Sequence, residues 1–292
     1  MGRIIRKALV TGAEGQLGYD VMKELANRGI AAVGTGRKEL DITDRKAVEE
    51  RIVKEQPDLI IHCAAYTQVD LAEENKELCM QVNAQGTEAI AAAAARCGAA
   101  MIYISTDYVF SGEGERPWEP EDTPAPVSVY GLSKYLGEEA VKKQLSKYYI
   151  VRISWAFGEN GKNFVKTMLR LSESRDTVTV VDDQIGSPTY TADLAVMLAD
   201  LAESGCYGTY HAANSGYCSW YEFAKEIFRL TGRAMKVLPV SSAEWKAKAE
   251  RPKNSRMNME KLNQAGIAAL PPWQDALARY LQKIGVSKDW ER

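Results

Sequence analysis

The sequence predicts an α/β protein, a doubly wound parallel sheet with a smaller lobe interleaved toward the C-terminus. Three observations point there. Apolar runs of strand length recur through the first half, helically spaced segments lie between most of them, and this alternation weakens after Ser154. Alternating strands and helices favour parallel pairing, because each helix carries the chain back across the sheet and covers one of its faces.

The strand-length runs are Ala8–Thr11, Ala31–Thr35, Asp58–Ala65, Met101–Thr106 and Tyr149–Ser154. The first leads into "TGAEGQLG", with Gly12, Gly15 and Gly18 each separated by two residues and Gln16 and Leu17 among them. At a strand-to-helix turn, glycines permit a tight path, close approach to a pyrophosphate and close helix packing, and the helix N-terminus offers free N–H groups. In this setting the trio reads as a Rossmann-type dinucleotide site, and a simple tight turn is the competing reading.

After the second strand, "VGTGRKELDIT" puts Gly36 and Arg37 where an acidic residue would hold a ribose 2′-hydroxyl. Arg37, helped by Lys38, would then admit NADPH, alongside or instead of NADH, and a solvated loop charge is the alternative. In the next segment Thr43 is the expected N-cap, Val48, Ile52 and Val53 share one face, Arg45, Glu49 and Glu50 point away, and Pro57 stops the helix. Residues 1–155 are expected to form the dinucleotide-binding domain, with 191–213 returning to it. Residues 156–190 and 214–292 would form the substrate lobe, with "RPKNSRMNMEKL" as a loop and "ALPPWQDALARYLQKIG" as a closing helix.

A net charge of −2 over 292 residues lacks the basic excess that nucleic acid or an anionic membrane surface would require. The alanine-rich run Ala89 to Ala95 meets Arg96 too soon to span a bilayer, and "MGRIIRKALVTG" lacks the pattern of a signal peptide. Cys63, Cys79, Cys97, Cys206 and Cys218 are odd in number and show no C-x-x-C spacing, which fits free thiols. The expected location is cytoplasmic. His62 and His211 are the only histidines, so a His-rich metal centre is excluded and both read as packed or surface residues.

Three Tyr-x-x-x-Lys pairs occur: Tyr19 with Lys23, Tyr130 with Lys134, and Tyr221 with Lys225. Residues four apart share a helix face, so each pair can act together. Context separates them. Tyr19 abuts the glycine turn and Lys23 faces solvent, while Tyr221 belongs to a core-like stripe with Trp220, Phe223, Ala224 and Phe228. Tyr130 instead follows "MIYISTDYVFSGEG", a strand ending in Ser105, Thr106 and Asp107 at the carboxyl edge, where open α/β sheets bind ligands.

A hydroxyl at that strand end plus Tyr-x-x-x-Lys on the next long helix resembles the short-chain dehydrogenase/reductase family, and the "TGxxGxxG" spacing resembles its extended, nucleotide-sugar subgroup. The resemblance implies that Thr106, Tyr130 and Lys134 reduce a carbonyl with a nicotinamide cofactor. A free phenol has a pKa near ~10, and a neighbouring ammonium, helped by the positive nicotinamide ring, would lower it to ~7, worth roughly 4 kcal/mol. Lys134 would also hold the nicotinamide ribose. Dehydratases of the subgroup carry Thr-Asp-Glu where this chain has Thr106, Asp107 and Tyr108, so simple reduction is favoured over water elimination, and Asp107 would only cap or orient the loop.

"AAYTQVDLAEE", "STDYVFSGEG", "VYGLSKYLGE", "RISWAFGENGKNFVKTM", "VVDDQIGSPTYTADLA" and "GTYHAANSGYCSWYEFA" occur in order over most of the chain. Together they resemble the dTDP-4-dehydrorhamnose reductase family, which reduces the 4-keto group of dTDP-6-deoxy-L-lyxo-4-hexulose to give dTDP-L-rhamnose. By resemblance, Thr67, Val69, Thr106, Tyr108 and Trp155 would line the sugar pocket, and Arg256 would meet the diphosphate of the dTDP-sugar. Asp41 and Ile42 would contact the adenine, while Ala64, Ala65 and Tyr66 would line the cofactor. Relatives can dimerise through carboxylate-bound magnesium, but "PTYTADLA" has threonine and alanine near where the glutamate would be sought. No metal is expected, and a homodimer is left open. A reductase of another keto-sugar nucleotide, or an NADP-binding regulatory subunit resembling that of methionine adenosyltransferase, are the alternatives; the intact Thr106, Tyr130 and Lys134 favour an enzyme.

Overall fold

The computed structural model describes residues 4–286. Its core is a six-stranded sheet of β1 (Lys7–Thr11), β2 (Ala31–Thr35), β3 (Leu59–His62), β4 (Ala100–Thr106), β5 (Tyr148–Ile153) and β7 (Gly208–His211). The spatial order is β7-β5-β4-β3-β1-β2, and every pairing is parallel. The chain passes from β1 outward to β2 and then returns to place β3 on the other side of β1. That reversal opens a crevice at the carboxyl edge between β1 and β3.

Strand periodicity sends alternate residues to opposite faces. Ala8, Val10 and Ile61 pack with Val21 and Leu25 of α1 (Gln16–Asn27) and with Leu194, Leu198 and Leu201 of α6 (Thr191–Ser204). Leu9, Ile60, Met101 and Ile150 face the other way, against Val48 and Ile52 of α2 (Arg45–Glu55), Ile90 and Ala94 of α3 (Thr87–Cys97) and Val141 of α4 (Val129–Gln144). A third apolar cluster joins α5 (Phe164–Leu171), β6 (Thr177–Val181), α7 (Trp220–Thr231) and α8 (Trp273–Lys283) through Val165, Val178, Phe223, Ile227, Leu277 and Tyr280. In α7 a capping box starts the helix, Ser219 accepting from the Glu222 N–H at 3.1 Å and Glu222 from the Ser219 N–H at 2.8 Å. There β6 pairs in parallel with β8 (Lys236–Val240) as a separate ribbon. No helix among the described residues is long and apolar enough to cross a membrane.

Three local expectations need correction. The cap of α2 is Asp44, whose carboxylate accepts from the N–H groups of Lys46 and Ala47 at 3.0 and 3.1 Å; the Thr43 hydroxyl instead donates to Asp41 at 2.7 Å. Val53 is 49% exposed, while Val48 and Ile52 are buried, because a position one residue past Ile52 turns off the contact stripe. The third strand stops at His62 rather than Ala65. Beyond it the Tyr66 backbone is held by the Asn83 side chain, which accepts from the Tyr66 N–H at 2.7 Å and donates to its carbonyl at 3.0 Å.

Candidate active site

The glycine turn is close-packed at backbone level. Gly12 has φ +68°, and a Cβ there would come within 2.7 Å of the Ala64 nitrogen. A Cβ on Gly18 would lie 2.1 Å from the Gly12 carbonyl oxygen, so α1 can start there only if that residue is glycine. Gly15 is the N-cap of α1 and brings no side-chain cap, which leaves the first N–H groups of the helix free for an anion. Gln16 and Leu17 open the helix: Gln16 accepts from the Asn163 amide at 3.1 Å, and Leu17 is buried in the core. This cradle, with Ala64 against it and Ala65 and Tyr66 following, fits a dinucleotide pyrophosphate.

Around the cradle, Arg37 is exposed after β2, and the Gly36 N–H is taken by the Glu39 carboxylate at 2.9 Å. Asp41 is exposed and spends one oxygen on Thr43, while Ile42 is buried in the core beside Gly86. Asn83 carries no expectation from the sequence, yet it ties the loop after β3 to α4 by donating to the Ser133 hydroxyl at 2.9 Å. It sits in a π-helical turn, Gln81–Gly86, just before the alanine-rich helix. The asparagine between the glutamines of "QVNAQGT" is the only signal that could have flagged it.

At the end of β4, the Thr106 hydroxyl accepts from the Tyr108 N–H at 3.2 Å and donates to the Asp107 carboxylate at 2.9 Å. Thr106, rather than Asp107, thus caps the turn 107–109. Asp107 is 2% exposed, and burial pushes its carboxyl up to about 6, against the pull of the Ser255 and Thr106 hydroxyls. Thr106 has one proton to donate, and a neutral Asp107 accepts it more weakly than a carboxylate does, which makes the hydroxyl easier to turn to another acceptor. The Tyr130 ring meets that of Tyr108 edge-on, with centroids 5.4 Å apart.

Lys134 by itself does not bring the Tyr130 phenol below its ordinary pKa range in this chain. Burial raises the Tyr130 phenol above its ordinary range, the charge of Asp107 adds to the rise, and the Thr106 hydroxyl pulls it partly back. Lys134 is itself 2% exposed, its ammonium lies over the Tyr103 ring at 4.1 Å, and burial brings it down to about 7, with Glu138 opposing. Desolvation is thus the largest influence on both heads, so a depressed phenol requires further positive charge at the site. Of the other pairs, Lys23 lies over the Tyr19 ring and bonds to Glu159, and Lys225 lies over the Tyr221 ring.

Thr67 is exposed and Val69 half-buried at the start of the short helix Val69–Ala72. Trp155 has φ +48°, a backbone state that bulky residues rarely hold. Its ring is stacked on Trp220 with centroids 3.8 Å apart, and it packs so closely on Gly186 that a Cβ there would come within 2.9 Å of the indole. That Cβ would also approach Ser255, the neighbour of Asp107, so Trp155 and Asp107 border one region. Arg256 donates to Asn254 at 3.1 Å and neighbours Tyr217. The arginine beside Tyr108 is instead Arg251, which also grips Asp70 bidentately at 2.9 and 2.7 Å. It opens the same "RPKNSRM" stretch, and spacing could not choose between the two.

Both histidines are buried and structural. His62 lies between the Thr11 and Thr87 hydroxyls at 2.6 and 3.1 Å, His211 faces Arg152 at 3.5 Å, and burial brings each down to about 3. Each folded-state value lies below the unfolded one, so the stability each contributes is present above about pH 6.5 and is lost as pH falls toward 3. Asp107, raised to about 6, acts oppositely and recovers part of the loss below that pH. Unfolding free energy is expected to be roughly 2–3 kcal/mol lower at pH 5 than at pH 7. Denaturant titrations at the two pH values check this, and equal stabilities would show that the imidazoles are not held neutral.

Comparison with known proteins places this geometry in a family. Residues 6–286 match the family model described as RmlD substrate binding domain. The chain is 43% identical over 276 residues to dTDP-4-dehydrorhamnose reductase of Streptomyces griseus, covering 92% of this chain and 91% of the relative. It is 40% identical over 277 residues to the spore coat polysaccharide biosynthesis protein SpsK of Bacillus subtilis, covering 95% and 97%. A crystal structure of dTDP-4-dehydrorhamnose reductase from Bacillus anthracis in complex with NADP superposes with a TM-score of 0.93 at 45% identity, over 96% of this chain and 100% of that one. With that similarity running over nearly its whole length, the chain belongs to the dTDP-4-dehydrorhamnose reductase family.

Proposed function

We propose that this protein reduces the 4-keto group of dTDP-6-deoxy-L-lyxo-4-hexulose with NADPH or NADH, giving dTDP-L-rhamnose in the last step of dTDP-rhamnose biosynthesis. The observation that carries the reading is the joint placement of Thr106 at the end of β4 and of Tyr130 and Lys134 on α4, in a chain of this family. Gly12, Gly15, Gln16, Leu17 and Gly18 would hold the pyrophosphate, Arg37, Asp41 and Ile42 the adenosine end, and Ala64, Ala65, Tyr66 and Lys134 the nicotinamide end. When bound, the nicotinamide cofactor supplies the hydride.

Tyr130 gives its proton to the carbonyl oxygen as negative charge develops there. Its unperturbed state in this chain is firmly protonated, so it enters the reaction loaded, and Lys134 then stabilises the phenolate left behind. Thr106 donates to the same oxygen by turning its hydroxyl from Asp107, a turn that a proton on that carboxyl makes easier. Thr67, Val69, Tyr108 and Trp155 would contact the sugar, with apolar and aromatic surface against the C6 methyl. Arg251 and Arg256 would meet the diphosphate as planar donor forks. In this reading the sugar nucleotide sits between a dinucleotide-binding domain, 1–155 with 191–213, and a lobe of 156–190 with 214–292, in a cytoplasmic enzyme.

Loss of reduced-nicotinamide absorbance with enzymatically generated dTDP-6-deoxy-L-lyxo-4-hexulose, followed by product identification, tests the proposal. Formation of dTDP-L-rhamnose is the expected result, and a folded, cofactor-binding protein that leaves this substrate untouched would overturn it. In the same assay Arg37→Glu is expected to shift the ratio of kcat/KM values from NADPH toward NADH at least about tenfold, since it replaces a phosphate partner by a repelling carboxylate. An unchanged ratio removes Arg37 from cofactor choice.

A further inference from the structure

Glu138 stands one helical turn beyond Lys134 in α4 and is fully buried. Its carboxylate accepts from Arg152 Nε and Nη2 at 2.8 and 2.7 Å and from the Ser105 hydroxyl at 2.6 Å. Arg152 is 1% exposed, donates to the Pro120 carbonyl at 3.1 Å, and lies over the Phe110 ring at 4.9 Å. Strand register aligns Ser105 with Arg152, and Arg152 with His211, so this row runs across β4, β5 and β7. The clamp therefore joins the residue just before Thr106 to the helix that carries Tyr130 and Lys134.

A buried ion pair is a costly way to hold a helix on a sheet, since apolar residues of similar volume often do as well. Here apolar packing of α4 is already provided by Val141 against Tyr103 and Ile150. The charge needs a use, and Lys134 offers one. The titratable groups facing that ammonium are His62 and Cys63 at the end of β3, Cys79 in the helix 76–80, Tyr103 on β4, and Glu138. Burial holds His62 and the two thiols in their neutral forms, which leaves Glu138 as the negative group among them.

We propose that Glu138, clamped by Arg152 and Ser105, is a positioning residue for the reduction: it sets α4 against the end of β4 and supplies the negative charge that the Lys134 ammonium faces. This rests on the reductase reading, but part of its test does not. Glu138→Gln alone leaves Arg152 buried without a counter-charge, so the double variant Glu138→Gln/Arg152→Met is used, with methionine filling the apolar volume. In cofactor-free protein, the Lys134 side chain is titrated by NMR of labelled lysine, assigned through Lys134→Gln. The double variant is expected to titrate at least about one pH unit below wild type. The same titration point in both proteins overturns the electrostatic role, whether or not the substrate assay succeeds.

The alkaline limb of the kcat/KM profile should move down with it, and kcat should fall at least about tenfold at pH 8 while NADPH still binds. Loss of activity by the same factor at every pH, with the limb unmoved, would show a merely structural pair. Glu138→Asp keeps both charges and shortens the clamp. It is expected to keep the titration point of Lys134 and lower kcat with little change in KM; unchanged kcat there overturns the register role. Absence of wild-type turnover would count against the reductase reading alone.

Discussion

Tyr130→Phe is expected to lower kcat by about 10²–10⁴-fold, the usual worth of a positioned general acid, while leaving NADPH affinity within a few-fold of wild type. The substitution removes one oxygen. The ring remains to pack edge-on against Tyr108 at 5.4 Å, and the Ser128 cap that starts α4 is untouched, its hydroxyl accepting from the Gly131 N–H at 3.1 Å. The loss is therefore chemical rather than structural. Thr106 cannot replace the phenol, because an aliphatic hydroxyl is a far weaker acid than a phenol. Steady-state turnover beside a fluorescence titration of NADPH separates the two effects, and near-normal kcat would defeat the assignment of Tyr130.

Gly18→Ala is expected to cost about 1–3 kcal/mol of stability and to weaken NADPH binding at least about a hundredfold, by overpacking at a fixed contact. The added methyl would lie 2.1 Å from the Gly12 oxygen and 2.8 Å from the Ala13 Cα, both backbone atoms that no rotamer change can move. Relief requires α1 to slide away from β1, which spreads the N–H groups meant for the pyrophosphate. Gly15→Ala is the control: its methyl meets only the Gly12 oxygen, at 3.1 Å, with φ at −78°, so the fold should survive. Thermal melts and NADPH titrations of both variants check the difference. Equal stability of Gly18→Ala and wild type would mean that the turn yields more easily than its backbone packing implies.

Much of the cofactor end was legible because it depends on local backbone. Gly12, Gly15 and Gly18 mark a turn through the conformations they alone permit, and the apolar runs mark strands by their length, since strands such as β3 and β4 are buried on both faces. Local context also singles out Tyr130 among three similar pairs, since it alone follows a strand that ends in hydroxyls. Errors arose where neighbouring residues compete for one role, as with Thr43 and Asp44 at the start of α2. Asn83, Arg251 and Glu138 escaped notice because each draws its partners from distant segments: Tyr66 and Ser133, Asp70 and Tyr108, and Ser105 and Arg152.

The sequence by itself determined the sheet and the glycine turn and singled out Thr106, Tyr130 and Lys134 as the expected reacting side chains, because strand-length apolar runs, helix period and glycine conformations act over a few residues. Tertiary structure alone decided their charge states. Whether Lys134 is protonated, Asp107 neutral or Tyr130 hard to ionise depends on how much water the surrounding chain excludes and on which distant charge faces each group. Those quantities come from packing, and no spacing along the chain encodes them.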